Sequence, residues 1–311
     1  MTQVGEAVGI ALMETLKDEC AFRPPSGIEE PSGEEEENAG YDDLESAKRI
    51  QENNGGTLGD NLGKGSPDGW GGQGTINNVY QPPERSPDSR SDSKTTMNTP
   101  NQLYVTVDGQ QLPFMNAAHH CIPGNASLKP STLFKQYMVK DGKARTTKGR
   151  TYTMKCHIGY NVNGNHNGIW LPANYAIRKN GEPGYPHNPR NKTWSSLIDT
   201  ERDWCWKYMC ACVKQVGGQF HDTHGDYNTA VRDAFRAMAV ALAAHQDTDC
   251  TYCKPKDGEK IYPPFRLKQR LYVFSRYLRM QLRVSPRTWK MPWVTSDRFK
   301  EELMLRGMVL P

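Results

Sequence analysis

The sequence predicts an α+β fold, a small β element embedded in helices, behind a largely disordered acidic amino-terminal region. Three observations carry that prediction. First, the 311-residue chain changes sign along its length: residues 1–100 hold 19 acids and 8 bases, residues 101–311 hold 16 acids and 31 bases. Second, the stretch from about Pro24 to Pro100 is built from Gly, Pro, Ser and charge, as in EEPSGEEEENAGYDD and PPERSPDSRSDSKTT. With so little to bury, such a segment does not recover its ordering entropy. Third, short β-like pieces cluster between about residues 103 and 172, and helical periodicity takes over beyond them.

Each element follows from local pattern. Residues 5–20 place Val8, Leu12, Met13 and Leu16 at helical spacing, so residues 1–23 are expected to hold one short amphipathic helix. Residues 24–100 read as a linker or arm, with a short helix near Leu44–Gln51 and with Trp70 and Tyr80 as aromatics able to dock. Order is expected from Leu103, where LYVTV alternates apolar and polar residues. Asp108-Gly109 is a strong turn dipeptide, and QQLPFMNAAHHCIP then reads as the return strand of a hairpin leading into a functional loop. Residues 150–172 are β-like pieces broken by Gly and Asn, and residues 174–193 are loop-rich with three prolines. Helices are expected at Trp194–Val216, Tyr227–His245 and Leu267–Arg283. The last carries Leu267, Leu271, Phe274, Leu278 and Leu282 on one side. The working division is a core at 101–249 and a basic helical extension at 250–311.

Composition also excludes function classes. The longest apolar stretches, such as AMAVALAA, fall far short of the roughly 20 residues a membrane span requires. No basic n-region precedes an apolar run at the amino terminus, so a cleaved secretory signal is not expected. Eight cysteines in a chain of this size, without an export signal, read as reduced thiols, some of them metal-bound. The basic body points to an anionic partner, nucleic acid foremost.

The chemistry-bearing residues lie in the core. His119 and His120 are adjacent at an expected strand end, where successive side chains point to opposite faces. One can then ligate a metal while the other faces a substrate. Asn167 follows in NGIWLP, and His221 and His224 in HDTHGDYN. If residues 221–228 open a helix, the last two histidines lie one turn apart on one face, a spacing suited to a divalent ion. Each residue has an ordinary structural use as well: paired histidines cap hairpins, Asn-Gly makes turns, and histidines decorate solvated helix starts. His157, His166, His187 and His245 match no motif and read as structural.

AHHCIPGNAS, NGIWLP and HDTHGDYNTAV, in that order, resemble the AHH nucleases of the HNH/endonuclease VII superfamily, which are commonly toxin domains of bacterial competition systems. The resemblance covers about Leu103 to His245; residues 1–100 and the tail beyond Cys250 lie outside it. It implies a ββα-metal fold in which a hairpin and a helix grip one divalent cation: Mg, Zn, Mn or Ni. It implies His120 as general base, His119 as ligand or orienting group, Asn167 as loop holder or ligand, and His221 and His224 as ligands from the helix side. One departure is plain: two residues separate His221 from His224 where the family usually has three, so His224 fits its pattern better. The implied function is a metal-dependent endonuclease toxin, a DNase foremost, made in the bacterial cytoplasm and delivered into the cytoplasm of a target cell. It would be guarded by an immunity protein, with the amino-terminal region contacting secretion machinery or a chaperone. The alternatives are a non-catalytic, zinc-organised nucleic-acid-binding module with structural histidines, and an RNase on the same scaffold.

Two features lie beside the resemblance. Cys250 and Cys253 form a C-x-x-C half of a zinc knuckle, for which Cys210 and Cys212 could supply the other half of a structural zinc site; buried free thiols are the plainer reading. Arg266, Lys268, Arg270, Arg276, Arg279 and Arg283 form a basic stripe on the last long helix, suited to salt-sensitive phosphate contact.

Overall fold

A computed structural model of the protein describes residues 4–14, 20–22, 55–64, 103–173, 197–245, 260–283 and 292–307. In chain order the elements are α1 (Val4–Glu14), α2 (Gly55–Lys64), β1 (Leu103–Val107), β2 (Gln110–His120), β3 (Lys143–Arg145), β4 (Thr151–Met154) and β5 (Gly168–Ala173). They continue with α3 (Asp199–Val216), α4 (Gly225–His245), β6 (Lys260–Ile261), α5 (Phe265–Arg283) and α6 (Asp297–Leu305). The fold is α+β. The chain divides into two compact units, each drawn from three stretches: residues 1–53, 122–163 and 228–277 in the first, residues 54–121, 164–227 and 278–311 in the second.

In the second unit, Asp108 and Gly109 both take positive φ, 48° and 83°, and Val107 pairs with Gln110. That is the two-residue turn whose twist matches a hairpin, and Asp-Gly is the dipeptide that tolerates it. The histidine pair ends the return strand, as expected, and a loop follows it at 121–123. β2 continues to His120 because its second half finds another partner, pairing antiparallel with β5 from Met115↔Ala173 to His120↔Gly168. The sheet order is β1-β2-β5. Period-two alternation puts Asn116, Ala118 and His120 on one face of β2, and Ala117 and His119 on the other.

Helices cover this sheet. Tyr208 of α3 donates its hydroxyl to the Pro113 carbonyl at 2.9 Å and stacks on Trp204. α3 meets α6 through the Trp206–Phe299 ring pair, centroids 4.9 Å apart, and through Arg202 bound to the buried Glu302 at 2.6 Å. Arg306 takes the second oxygen of that carboxylate at 2.8 Å, so the buried charge is doubly paired. α2 packs Leu58 and Leu62, one turn apart and fully buried, against Trp170 and Ala118. A Cβ placed on Gly168 would come within 2.7 Å of Leu58 and 3.0 Å of Leu62, so the leucines seat this closely because the position is glycine. With four glycines in ten residues, α2 is an intrinsically poor helix former. The two leucines, at about 1.5–3 kcal/mol each, hold it. The stretch read as a linker therefore contains one packed helix; Leu44–Gln51, Trp70 and Tyr80 lie outside the described residues.

The first unit contains a second small sheet, with β4 antiparallel to β3 and parallel to β6. α1 crosses the body of α4 at closest approach. A Cβ on Gly5 would sit 2.1 Å from the Ala230 carbonyl oxygen, and one on Gly9 2.3 Å from that of Ala234. Residues 5–20 were expected as one helix; the described part is Val4–Glu14. Two histidines have plain structural tasks, as expected: His245 Nε2 accepts the Ala21 N–H at 3.3 Å, and His157 Nδ1 accepts the Lys140 N–H at 3.0 Å. The expected apolar stripe Leu267, Leu271, Phe274, Leu278 and Leu282 is fully buried along α5. No helix of the described residues is long and apolar enough to cross a membrane.

Gly9→Ala forces backbone against backbone at the α1–α4 crossing, so a loss of about 1–3 kcal/mol is expected in urea denaturation. An unchanged midpoint would mean that α1 does not seat on α4.

Candidate metal centre

Three imidazoles converge in the second unit. His119 leaves β2 on the face opposite Ala118, and its ring centroid lies 4.9 Å from that of His221 and 5.1 Å from that of His224, all edge-on. The third side of the triangle, His221 to His224, is 5.3 Å. One potential ligand atom from each ring lies within 4.8 Å of the others, and this is the one such group of three among the described residues. His119 is buried while His221 and His224 are partly exposed, so the triangle opens toward the surface of the unit.

Each side chain is held by main chain. His119 faces Ile169 across the β2–β5 ladder. His221 continues from the far end of β5: its N–H donates to the Pro172 carbonyl at 2.8 Å, and it forms a parallel bridge with Ala173. His224 immediately precedes α4, whose first N–H, from Gly225, is capped by Asp297 Oδ2 at 2.9 Å. The expectation that residues 221–228 open a helix is thus corrected. The two histidines sit just before α4, because the His221 bridge and the bonds of Asp222 and Thr223 to Thr295 and Asp297 hold the chain out of helix until Gly225. The one-turn proximity survives through tertiary contacts.

The brace for that turn comes from the carboxy-terminal segment, which sequence reasoning missed. The Gln219 side chain accepts the Thr295 N–H at 2.9 Å and donates to the Trp293 carbonyl at 2.7 Å. Thr295 donates its hydroxyl to the Phe220 carbonyl at 2.9 Å, and its own carbonyl accepts the Asp222 N–H at 2.9 Å. The Asp297 N–H donates to the Thr223 carbonyl at 2.6 Å, and Arg298 pairs with Asp222 at 3.3 Å. Partners some 75 residues apart leave no local signature. Tyr227 closes the inner side: its hydroxyl donates to the Cys121 carbonyl at 2.5 Å, and its ring stands edge-on to His119 at 5.5 Å.

The electrostatics favour neutral ligands. Burial, then the neighbouring His221, His224 and His120, holds the His119 pKa well below the ordinary imidazole value. Burial likewise lowers His224, against opposing pulls that include the Asp297 and Asp222 carboxylates. His119 Nε2 is buried and, among the described residues, has no hydrogen-bond partner. A buried imidazole nitrogen left so is costly unless something else completes it. A divalent cation fits. Three histidines with open positions match the pattern of a catalytic rather than a closed structural ion. All-nitrogen donors suit Zn or Ni better than Mg or Mn, which prefer oxygen. Ligation at about 2.0–2.1 Å requires the rings to draw inward by roughly 1 Å, within reach of small side-chain rotations.

The other expected residues fall in several places. His120 is buried and, by alternation, on the opposite face of β2 from His119, yet near enough that its charge acts on His119. Asn167 is fully buried on the 3₁₀ turn before β5, where its carbonyl accepts the Cys121 N–H at 2.8 Å. It thereby ties together the chain just past both ends of the His120↔Gly168 pair. Cys210 and Cys212 are buried on α3 two residues apart, a spacing that points them to different sides of a helix. Burial pushes the Cys210 thiol up to about 12 and Cys212 well up, away from the thiolate a zinc site uses. Cys250 and Cys253 lie outside the described residues. On α5, Arg276 and Arg283 are exposed, whereas Arg266, Lys268, Arg270 and Arg279 are half-buried. Arg279 is occupied structurally, donating to the Asn165 carbonyl and to the Cys121 thiol.

Compared with family models, with curated proteins and with solved structures, the chain matches none.

His119→Ala and the double variant His221→Ala/His224→Ala are each expected to abolish stoichiometric Zn or Co binding in a titration of the full chain. Retained binding in both variants would place any ion elsewhere. In metal-free protein, His119 and His224 resist protonation when folded but titrate near 6.5 when unfolded. The unfolded state then binds more protons below that pH, so the melting temperature is expected to fall as pH drops through about 6.5. A profile that is flat down to pH 5 would contradict the burial of neutral imidazoles.

Proposed function

We propose that the protein is a metal-dependent phosphodiester hydrolase acting on a polynucleotide, with the ion held by His119, His221 and His224. The observation that carries this reading is the meeting of those three imidazoles, one from a strand and two from a turn a hundred residues later. They form an open, nitrogen-donor triangle. A structural ion would call for a fourth protein ligand; three ligands leave positions for substrate and water. When bound, a divalent cation there supplies charge neutralisation and Lewis-acid polarisation at a phosphate.

The chain's own residues supply the rest. His120, next to His119 on the strand, is the general base that takes a proton from the attacking water. Asn167 fixes the end of β2 against the start of β5 and so fixes the direction of both histidines. Exposed Arg276 and Arg283, within a body of 31 bases and 16 acids, give sequence-independent attraction for a polyanion. The order AHH, NGIWLP, HDTH and its resemblance to the AHH nucleases support a ββα-metal assignment for β2, β5 and the start of α4. The same resemblance supports a role as a toxin of bacterial competition with an acidic immunity partner, an electrostatically complementary arrangement.

Plasmid DNA and a structured RNA, incubated in parallel with Zn, Mn, Ni or Mg, test the reading. His120→Ala is expected to lower cutting by about 10²–10⁴-fold while metal binding persists; His119→Ala is expected to lose both. Cutting unaffected by His120→Ala defeats the assigned base. Tight metal and DNA binding with no cleavage of either polymer under any ion identifies a zinc-organised binding module instead, and cleavage confined to RNA identifies an RNase.

A further inference from the structure

The polypeptide that precedes β1 does not leave the site's sheet bare. α2 lies on the face of β2 and β5 that carries Asn116, Ala118 and His120 on one strand and Gly168 and Trp170 on the other. Leu58 and Leu62 seat directly on Gly168, the residue paired with His120, and against Trp170 and Ala118. His120 is only 8% exposed in this arrangement. A phosphate that is to meet both an ion on the His119 side and the imidazole of His120 must approach the end of β2 where the two rings diverge, at the His120↔Gly168 pair. Leu58 and Leu62 occupy that end on the His120 side.

The covered face is also poorly matched to its cover. Among the described residues, neither the amide nitrogen nor the amide oxygen of Asn116 has a hydrogen-bond partner, and neither does Trp170 Nε1, although all three atoms are buried. The leucines packed on Trp170 offer its indole N–H no acceptor. Asn116 and Trp170 are diagonal neighbours on one face, Asn116 opposite Pro172 and Ala118 opposite Trp170, within reach of a common ligand. Two N–H donors and one amide oxygen beside an imidazole suit phosphate oxygens and a sugar or base edge better than they suit an apolar helix. The cover itself is weakly built, ten residues with four glycines held by two leucines.

We propose that this β2–β5 face is where the polynucleotide backbone binds, and that α2 occupies it as a built-in competitor that must leave for His120 to act. This rests on the reading of the site as one that acts on a polynucleotide. Asn116 Nδ2 and Trp170 Nε1, on the same face and without partners among the described residues, then donate to the backbone.

The test is binding of a fluorescent DNA duplex to the full chain, with Zn titration of each variant as a check that the histidine triangle is intact. If α2 covers the face about nine-tenths of the time, Leu58→Asp/Leu62→Asp tightens the apparent affinity roughly ten-fold. Asn116→Leu moves the opposite way: it removes the buried unpartnered amide and so raises the melting temperature, and it weakens DNA binding several-fold. Unchanged affinity in the leucine variant with normal Zn binding overturns the proposal. If that variant loses Zn binding through misfolding, Asn116→Leu decides alone, and unchanged or tighter DNA binding by it is the overturning result. Tighter binding without cleavage by any form sinks the hydrolytic reading and leaves this one standing. Cleavage by the wild type, with both variants binding DNA as it does, does the reverse.

Discussion

The pairing of the second half of β2 with β5 is the constraint from which the site follows. Without β5, residues 115–120 would be a loop after a hairpin, and adjacent histidines in a loop have no enforced directions. With it, the register from Met115↔Ala173 to His120↔Gly168 makes the chain strictly alternate. His119 is delivered to the side where His221 and His224 wait, and His120 to the other. A slip of one residue would exchange the two imidazoles. Asn167 guards against it, its carbonyl bonded to the Cys121 N–H one step beyond the last pair.

The same strand end is stiffened from the other direction by the carboxy-terminal segment. Residues 293–300 clasp the turn carrying His221 and His224 through Gln219, Thr295 and Asp297, and the buried Glu302, held by Arg202 and Arg306, anchors α6 to α3. Hydrogen bonds to buried main chain are effective here because each unmade partner would be left without water. A metal centre with only three ligands needs such bracing, since no fourth protein ligand limits ring rotation. The cost appears locally, as a buried His119 nitrogen with no partner of its own and imidazoles that burial keeps neutral. Strain of this kind at one point, with consistent packing around it, is the ordinary mark of a site shaped for a ligand.

The two faces of β2 are treated differently. The His119 face is completed by polar contacts and by Tyr227, whose hydroxyl reaches the Cys121 carbonyl. On the Asn116–His120 face, Leu58 and Leu62 of α2 pack on Trp170 and Ala118, and among the described residues the Asn116 amide and the Trp170 indole have no hydrogen-bond partner. α2 is a weak helix former held by an apolar contact, so a ligand that competes for its seat needs only modest differential affinity to displace it.

Much was legible in the residues alone. Asp108-Gly109 determined the β1–β2 hairpin because few other dipeptides accept two positive φ values in succession. The long helices followed from their apolar stripes, as Leu267 to Leu282 shows, and the adjacency of His119 and His120 implied opposed directions once a strand was assumed. The sequence also determined which residue types were available for a metal. Only the tertiary structure decided that the second half of β2 pairs with β5, that His221 stands as close to His119 as His224 does, and that both sit before α4 rather than on it. It also decided that Leu58 and Leu62 close over Gly168. These depend on partners 50 to 110 residues away, and side-chain periodicity reports only which face a residue shares with its near neighbours, never which distant face comes to meet it.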